Sequence, residues 1–141
     1  MLYVAEPAAV WRTRAPVVVD CSVLAALLHG EPNCDDAAAQ LSGRALHGPS
    51  LLPYELANVA RSKLRAGAAQ SDIDDALAEF THLRIELHAV PPAELLPLCV
   101  QYQLSAYDAA YLWLAAALKA PLATYDRRLA EAAARHLRTL D

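Results

Sequence analysis

Four acidic residues in this chain share one local setting. Each stands just past an apolar stretch, at or near the start of a helix: Asp20 after Val17-Val18-Val19, Glu55 after Leu51-Leu52-Pro53, Asp108 after Leu104-Ser105, and Asp126 after Leu122-Ala123-Thr124. If the stretches before Asp20 and Asp126 are parallel strands, both carboxylates leave the same edge of the sheet. Glu55 and Asp108 then join them from helices that begin at that edge. Crowded carboxylates repel one another and raise one another's pKa, so such a cluster needs a cation to hold it. Oxygen donors select a hard ion, Mg²⁺ or Mn²⁺. One or two such ions, about 3.5–4 Å apart, suit phosphodiester hydrolysis, which needs an activated water, a neutralised phosphate and a stabilised leaving oxygen.

Asp20 reads as the central or bridging ligand because it follows the most apolar strand. Glu55 and Asp108 complete the first site, and Asp126 holds a second, weaker ion or orients the attacking water. Ser22 and Thr124 are placed to hydrogen-bond the carboxylates or a phosphate oxygen. Taken singly, each acid has a plainer reading. Asp20 and Asp126 are acceptable helix caps, and Glu55 gains about 0.3–1 kcal/mol from a helix dipole. Asp108 is the acid of a capping box opened by Ser105. Their joint placement, not any one of them, points to chemistry.

The elements that must position these residues are legible from periodicity and caps. Val17-Val18-Val19 is a buried strand. Helices are expected over 22–28, ended by His29-Gly30, and from a cap at Asn33 through 41. Residues 46–49 form a weak strand candidate. Pro53 opens a helix to about Ala66, stopped by Gly67, and a capping pattern at Ser71 opens another to Phe80. Residues 83–87 alternate as a half-exposed edge strand. A helix follows Pro91-Pro92 to about Tyr102, then an almost wholly apolar helix runs over 106–118. Residues 121–124 read as a strand, 127–136 as a helix and 138–140 as a final strand. Strands alternating with helices predict a three-layer α/β/α sandwich with a mostly parallel sheet, whose ligands bind beyond the carboxyl ends of the strands.

Size and composition set the bounds. With 141 residues, 56% hydrophobic and 20% charged, the chain is expected to form one domain with a full core. The net charge of −4 supplies no global field to attract nucleic acid. Bound metal ions would reverse that potential locally. Cys21, Cys34 and Cys99 are odd in number and form no C-x-x-C pair, and the five histidines show no H-E-x-x-H spacing. No apolar run spans a bilayer, and the start lacks a signal-peptide core, so a soluble cytoplasmic protein is expected. Residues 1–16 read as an N-terminal extension, a tail or an edge element docked through Trp11, with the domain at 17–141.

Four segments carry a resemblance, in order and over about residues 17–141. They are Val-Val-Val-Asp20-Cys-Ser22-Val-Leu, Pro53-Tyr-Glu55-Leu-Ala-Asn58, Leu-Ser-Ala-Tyr-Asp108-Ala-Ala-Tyr-Leu-Trp-Leu-Ala and Pro121-Leu-Ala-Thr124-Tyr-Asp126-Arg-Arg-Leu. They resemble the motifs of PIN domains, and more specifically of VapC toxins from bacterial toxin–antitoxin pairs. The resemblance implies a PIN-like sheet of order 3-2-1-4-5 and a Mg²⁺- or Mn²⁺-dependent endoribonuclease leaving a 3′-hydroxyl and a 5′-phosphate. It also implies a homodimer and neutralisation by a cognate antitoxin. Carried over by motif, the acidic site is Asp20, Glu55, Asp108 and Asp126, supported by Ser22 and Thr124. The extension before Val17 is longer than the family's usual few residues, and the chain is acidic.

Basic residues at Arg61-Ser-Lys63-Leu-Arg65 and Arg127-Arg128 could meet a phosphate backbone, or form solvated helix faces. Tyr54 and Tyr107 could stack on bases, whereas Tyr111 and Trp113 read as core or interface residues. Two other functions compete with the nuclease. One is a catalytically silent PIN-fold module that binds RNA or protein. The other is a phosphoryl-transfer domain using Asp20, against which stands the serine at position 22 in place of a second aspartate.

Overall fold

The computed structural model describes residues 1, 3 and 14–140. The expectation for Trp11 lies outside the described residues. The elements run β1 (Pro16–Val19), α1 (Cys21–Leu28), α2 (Cys34–Leu41), β2 (Ala45–Pro49), α3 (Leu52–Arg65), α4 (Gln70–His82), β3 (Glu86–His88), α5 (Pro92–Tyr102), α6 (Ala106–Leu118), β4 (Leu122–Ala123) and α7 (Arg127–Leu137). The four strands form one sheet of order β3-β2-β1-β4, and all three pairings are parallel.

Connectivity explains the layers. From β1 to β2 to β3 the chain steps one way across the sheet, so right-handed crossovers put α1 to α4 on one face. From β3 the chain returns to β4 on the other side of β1, which sends α5 and α6 to the opposite face, where α7 joins them against α6. The contacts agree: α1 packs on α2, α3 and α4, while α6 packs on α5, α7 and the central strands. The result is the expected three-layer α/β/α sandwich. Val17, Val18 and Val19 are therefore buried from both faces. The alanine-rich α6 carries buried residues around most of its girth, among them Ala109, Tyr111, Leu112 and Leu114. Among the described residues no helix is long and apolar enough to cross a membrane.

Several local expectations change. The strand expected at 83–87 forms only from Glu86, because α4 continues to His82 and Arg84 takes a left-handed φ of 52° that interrupts the extended run. Residues 138–140 form a 3-10 turn rather than a fifth strand: the chain leaves α7 still in helical conformation, and the Thr139 hydroxyl donates to the His136 carbonyl at 2.6 Å. Helix α4 opens at Gln70 with Ala69 as its uncapped N-cap residue, so Ser71 lies inside the helix. Asn33 stands at the N-cap of α2 without making a side-chain cap bond.

Candidate active site

Strand order reverses between β1 and β4, and a crevice opens at such a switch point beyond the strand ends. The register carries Asp20 and Thr124 to that place together. Val19 pairs with Ala123, and the Asp20 amide donates to the Ala123 carbonyl at 3.1 Å. The next residue on each strand must then lie beside the other, and the Thr124 hydroxyl donates to Asp20 Oδ2. The other carboxylate oxygen, Oδ1, accepts from Ser22 Oγ at 2.6 Å and from the Val23 amide at 3.1 Å. Asp20 thus caps α1 while fixed by hydroxyls from two sides. Ser22 and Thr124 are themselves held, by amide donation from Tyr125 to Ser22 Oγ and from Asp126 to Thr124 Oγ1, each at 2.9 Å.

The other acids arrive on helix starts. Gly48 lets α3 pack close against β2: a Cβ there would meet Leu52 Cδ2 at 2.7 Å. Pro53 sits in the first turn of α3, where its missing N–H costs nothing, and Glu55 follows in the same turn. The Tyr111 hydroxyl, from buried α6, donates to Glu55 Oε1 at 2.5 Å. Ser105 caps α6 by accepting from the Asp108 amide at 3.1 Å, so the capping pattern forms as expected and leaves the Asp108 carboxylate in the first turn. Asp126 caps α7 by accepting from the Leu129 amide at 3.1 Å.

Electrostatics tie the four together. Asp20 is only 5% exposed, and burial raises its carboxyl above the ordinary value, against the lowering effect of its hydrogen bonds. Glu55 is raised by burial, with a smaller push from the charges of Asp108 and Asp20, while the Tyr111 hydrogen bond lowers it. Asp108 is raised by burial and then by Asp126 and Asp20, with Ser105 and Arg128 lowering it. Glu55 and Asp108 therefore each feel the charge of two other acids. Among the described residues no salt bridge reaches any of them. Burial and the acids' own charges push the Cys21 thiol up to about 12, which keeps it a neutral thiol beside the site. A set of unneutralised carboxylate oxygens fits a hard divalent cation.

Residues 17–135 match the PIN domain family. The chain is 32% identical over 121 residues to Ribonuclease VapC3 of Pyrobaculum aerophilum, covering 82% of this chain and 92% of that protein. The chain belongs to the VapC-type PIN-domain ribonucleases. The crystal structure of PAE2754 from Pyrobaculum aerophilum shares the fold, with a TM-score of 0.68 at 24% identity over 89% of each chain.

In this PIN domain all six residues singled out from sequence meet at one edge of the sheet. Tyr111 was missed as a site residue: its hydroxyl is the hydrogen-bond partner of Glu55, and burial together with Glu55 pushes its own pKa up, so it stays a donor. Its place one turn after Asp108 on α6 was the available signal. A cleft of about 420 Å³ lined by Leu51, Tyr54, Glu55, Asn58 and Tyr107 adjoins the acids, with both tyrosines exposed at its walls. The basic residues are mostly engaged elsewhere. Lys63 pairs with Glu31 at 2.9 Å, Arg127 with Glu131 at 3.1 Å, and Arg128 donates to the Gln103 carbonyl at 2.7 Å. Trp113 donates to Glu94 at 2.5 Å.

Proposed function

We propose that this PIN domain is a divalent-metal-dependent endoribonuclease, the toxin of a toxin–antitoxin pair, with Asp20, Glu55, Asp108 and Asp126 as its acidic site. The observation that carries this reading is the convergence of these carboxylates at the strand-order reversal, where burial raises Asp20, Glu55 and Asp108 and, among the described residues, no salt bridge reaches any of the four. Membership of the family and the likeness to a protein named as a ribonuclease support it.

Asp20, Glu55 and Asp108 would hold Mg²⁺ or Mn²⁺, and Asp126 would hold a second, weaker ion or orient water. When bound, the divalent ion supplies positive charge to the scissile phosphate and lowers the pKa of water. The chain's own residues supply position. Ser22, Thr124 and the Val23 amide fix both oxygens of Asp20, and Tyr111 fixes Glu55, so little reorganisation is needed as charge develops. Tyr54 and Tyr107 offer exposed rings on which bases beside the scissile bond can stack. A cognate antitoxin would neutralise the site with a basic side chain placed among the acids. The active species is a cytoplasmic homodimer in this reading, with residues 1–16 an extension to the domain at 17–141.

The test is cleavage of a structured RNA mixture with Mg²⁺ or Mn²⁺ and with EDTA, beside Asp20→Asn and Asp108→Asn. Cleavage should require the metal and fall at least about 100-fold in each variant while circular dichroism stays unchanged. Cleavage that persists in EDTA, or in a folded Asp20→Asn protein, would overturn the proposal. RNA binding without cleavage under every condition would favour the silent binding module.

A further inference from the structure

Away from the acidic site, the fold assembles a group that no spacing in the sequence displays. Strands β2 and β3 pair in parallel with His47 opposite Glu86 and Pro49 opposite His88. Side chains two apart on a strand share a face, so His88 lies on the same side as Glu86, and the register adds His47 to them. His47 Nδ1 lies 2.9 Å from His88 Nε2 and 3.6 Å from Glu86 Oε2. The three ligand atoms all fall within 4.8 Å of one another.

We propose that His47, Glu86 and His88 form a second cation site, for a borderline transition metal such as Zn²⁺, that clips the edge strand β3 to β2. The donor chemistry differs from that of the acidic site. Two imidazoles and one carboxylate favour Zn²⁺ or Ni²⁺ strongly over Mg²⁺, whereas an all-carboxylate set lacks the nitrogen donors that give that preference and suits Mg²⁺ or Mn²⁺. The spacing also suits it. Four tetrahedral bonds of about 2.0–2.1 Å put neighbouring ligand atoms about 3.3 Å apart. The distances of 2.9 and 3.6 Å bracket that value. At present one ring N–H donates to the lone pair of the other ring, so the pair satisfies itself, and an ion would take both lone pairs at once.

Access and anchoring point the same way. His47 is 13% exposed and Glu86 68% exposed, so the site has a held imidazole at its back and an exposed carboxylate at its mouth. Three protein ligands leave one position for water or for a partner's side chain. The place also has something to gain. Strand β3 is three residues long and lies at the sheet edge. Its last residue ties down the loop that leads into α3, through donation from the Ser50 amide to the His88 carbonyl at 2.8 Å.

The experiment uses the full chain, stripped with chelator and returned to excess Mg²⁺ so that the acidic site is occupied. Zn²⁺ is titrated against a chromophoric competitor, and Co²⁺ against its visible d–d absorption, in wild type, Glu86→Gln and His88→Gln. Wild type should bind Zn²⁺, show tetrahedral Co²⁺ bands and melt at a higher temperature with Zn²⁺. Both variants should weaken Zn²⁺ by at least about tenfold and lose the thermal shift. Because the Glu86 carboxylate is exposed, Glu86→Gln leaves the fold intact even if His88→Gln does not. Equal Zn²⁺ affinity in wild type and Glu86→Gln, or no Zn²⁺ binding in excess Mg²⁺, would overturn the proposal.

Discussion

Asp20 carries two duties that oppose each other: as a cap and hydrogen-bond acceptor it favours ionisation, and as a buried group it resists it. Asp20, Glu55 and Asp108 all sit above their ordinary values of 3.8, 4.5 and 3.8. As pH rises, the unfolded chain releases these protons first, so across the window from the ordinary to the raised values the folded state binds more protons and loses stability. Their contribution is complete below the ordinary values and gone above the raised ones. In metal-free buffer at neutral pH, Asp108→Asn should therefore raise the melting temperature, on the order of a few degrees, and shrink the rise that Mn²⁺ produces in wild type. Thermal melts with EDTA and with Mn²⁺ check both signs. Tyr111→Phe should weaken Mn²⁺ binding by roughly 10–100-fold, because Glu55 loses the donor that orients it and holds its pKa down. Calorimetric titration of Mn²⁺ reads that change. The four acids were legible because each is announced locally, by a strand end or a cap pattern. Tyr111 and Glu55, and equally His47 and His88, meet only through tertiary packing, which periodicity does not encode.

Elements were legible where propensity and tertiary demand agree. The triple valine of β1, the Ser105 cap of α6 and the Pro53 start of α3 all formed where expected. Residues 83–87 show the converse: their alternation satisfies a strand template, yet Arg84 turns left-handed between the end of α4 and β3. Residues 138–140 fail as a strand because a local hydroxyl-to-carbonyl bond extends the helical turn. Gly48 is the point of closest approach between β2 and the start of α3. An added Cβ would press on Leu52, which is fully buried and cannot swing into solvent. Gly48→Ala should cost about 1–3 kcal/mol in urea denaturation. It should also lower nuclease activity out of proportion, since the start of α3 carries Glu55.

At the scale of the molecule, the three-layer architecture was readable from the alternation of strands and helices. The outer surface was not, because partner contacts leave no period in a single chain. Leu96 and Val100 stand exposed one turn apart on α5, the outer helix packed on α6. If this face joins two copies, Leu96→Glu with Val100→Glu should convert a dimer to a monomer in sedimentation, with little loss of secondary structure. A wild-type monomer would remove the homodimer from the functional reading. The pairing of β1 with β4 has a consequence in time. Asp20 is joined to Thr124 across 104 positions of sequence. A growing chain presents Asp20 first, but the hydroxyl beside it, and Asp126, arrive more than a hundred residues later. The acidic pocket therefore cannot exist on a chain that stops short of Asp126: in the proposed reading no nascent copy can cut RNA before that stretch has left the ribosome.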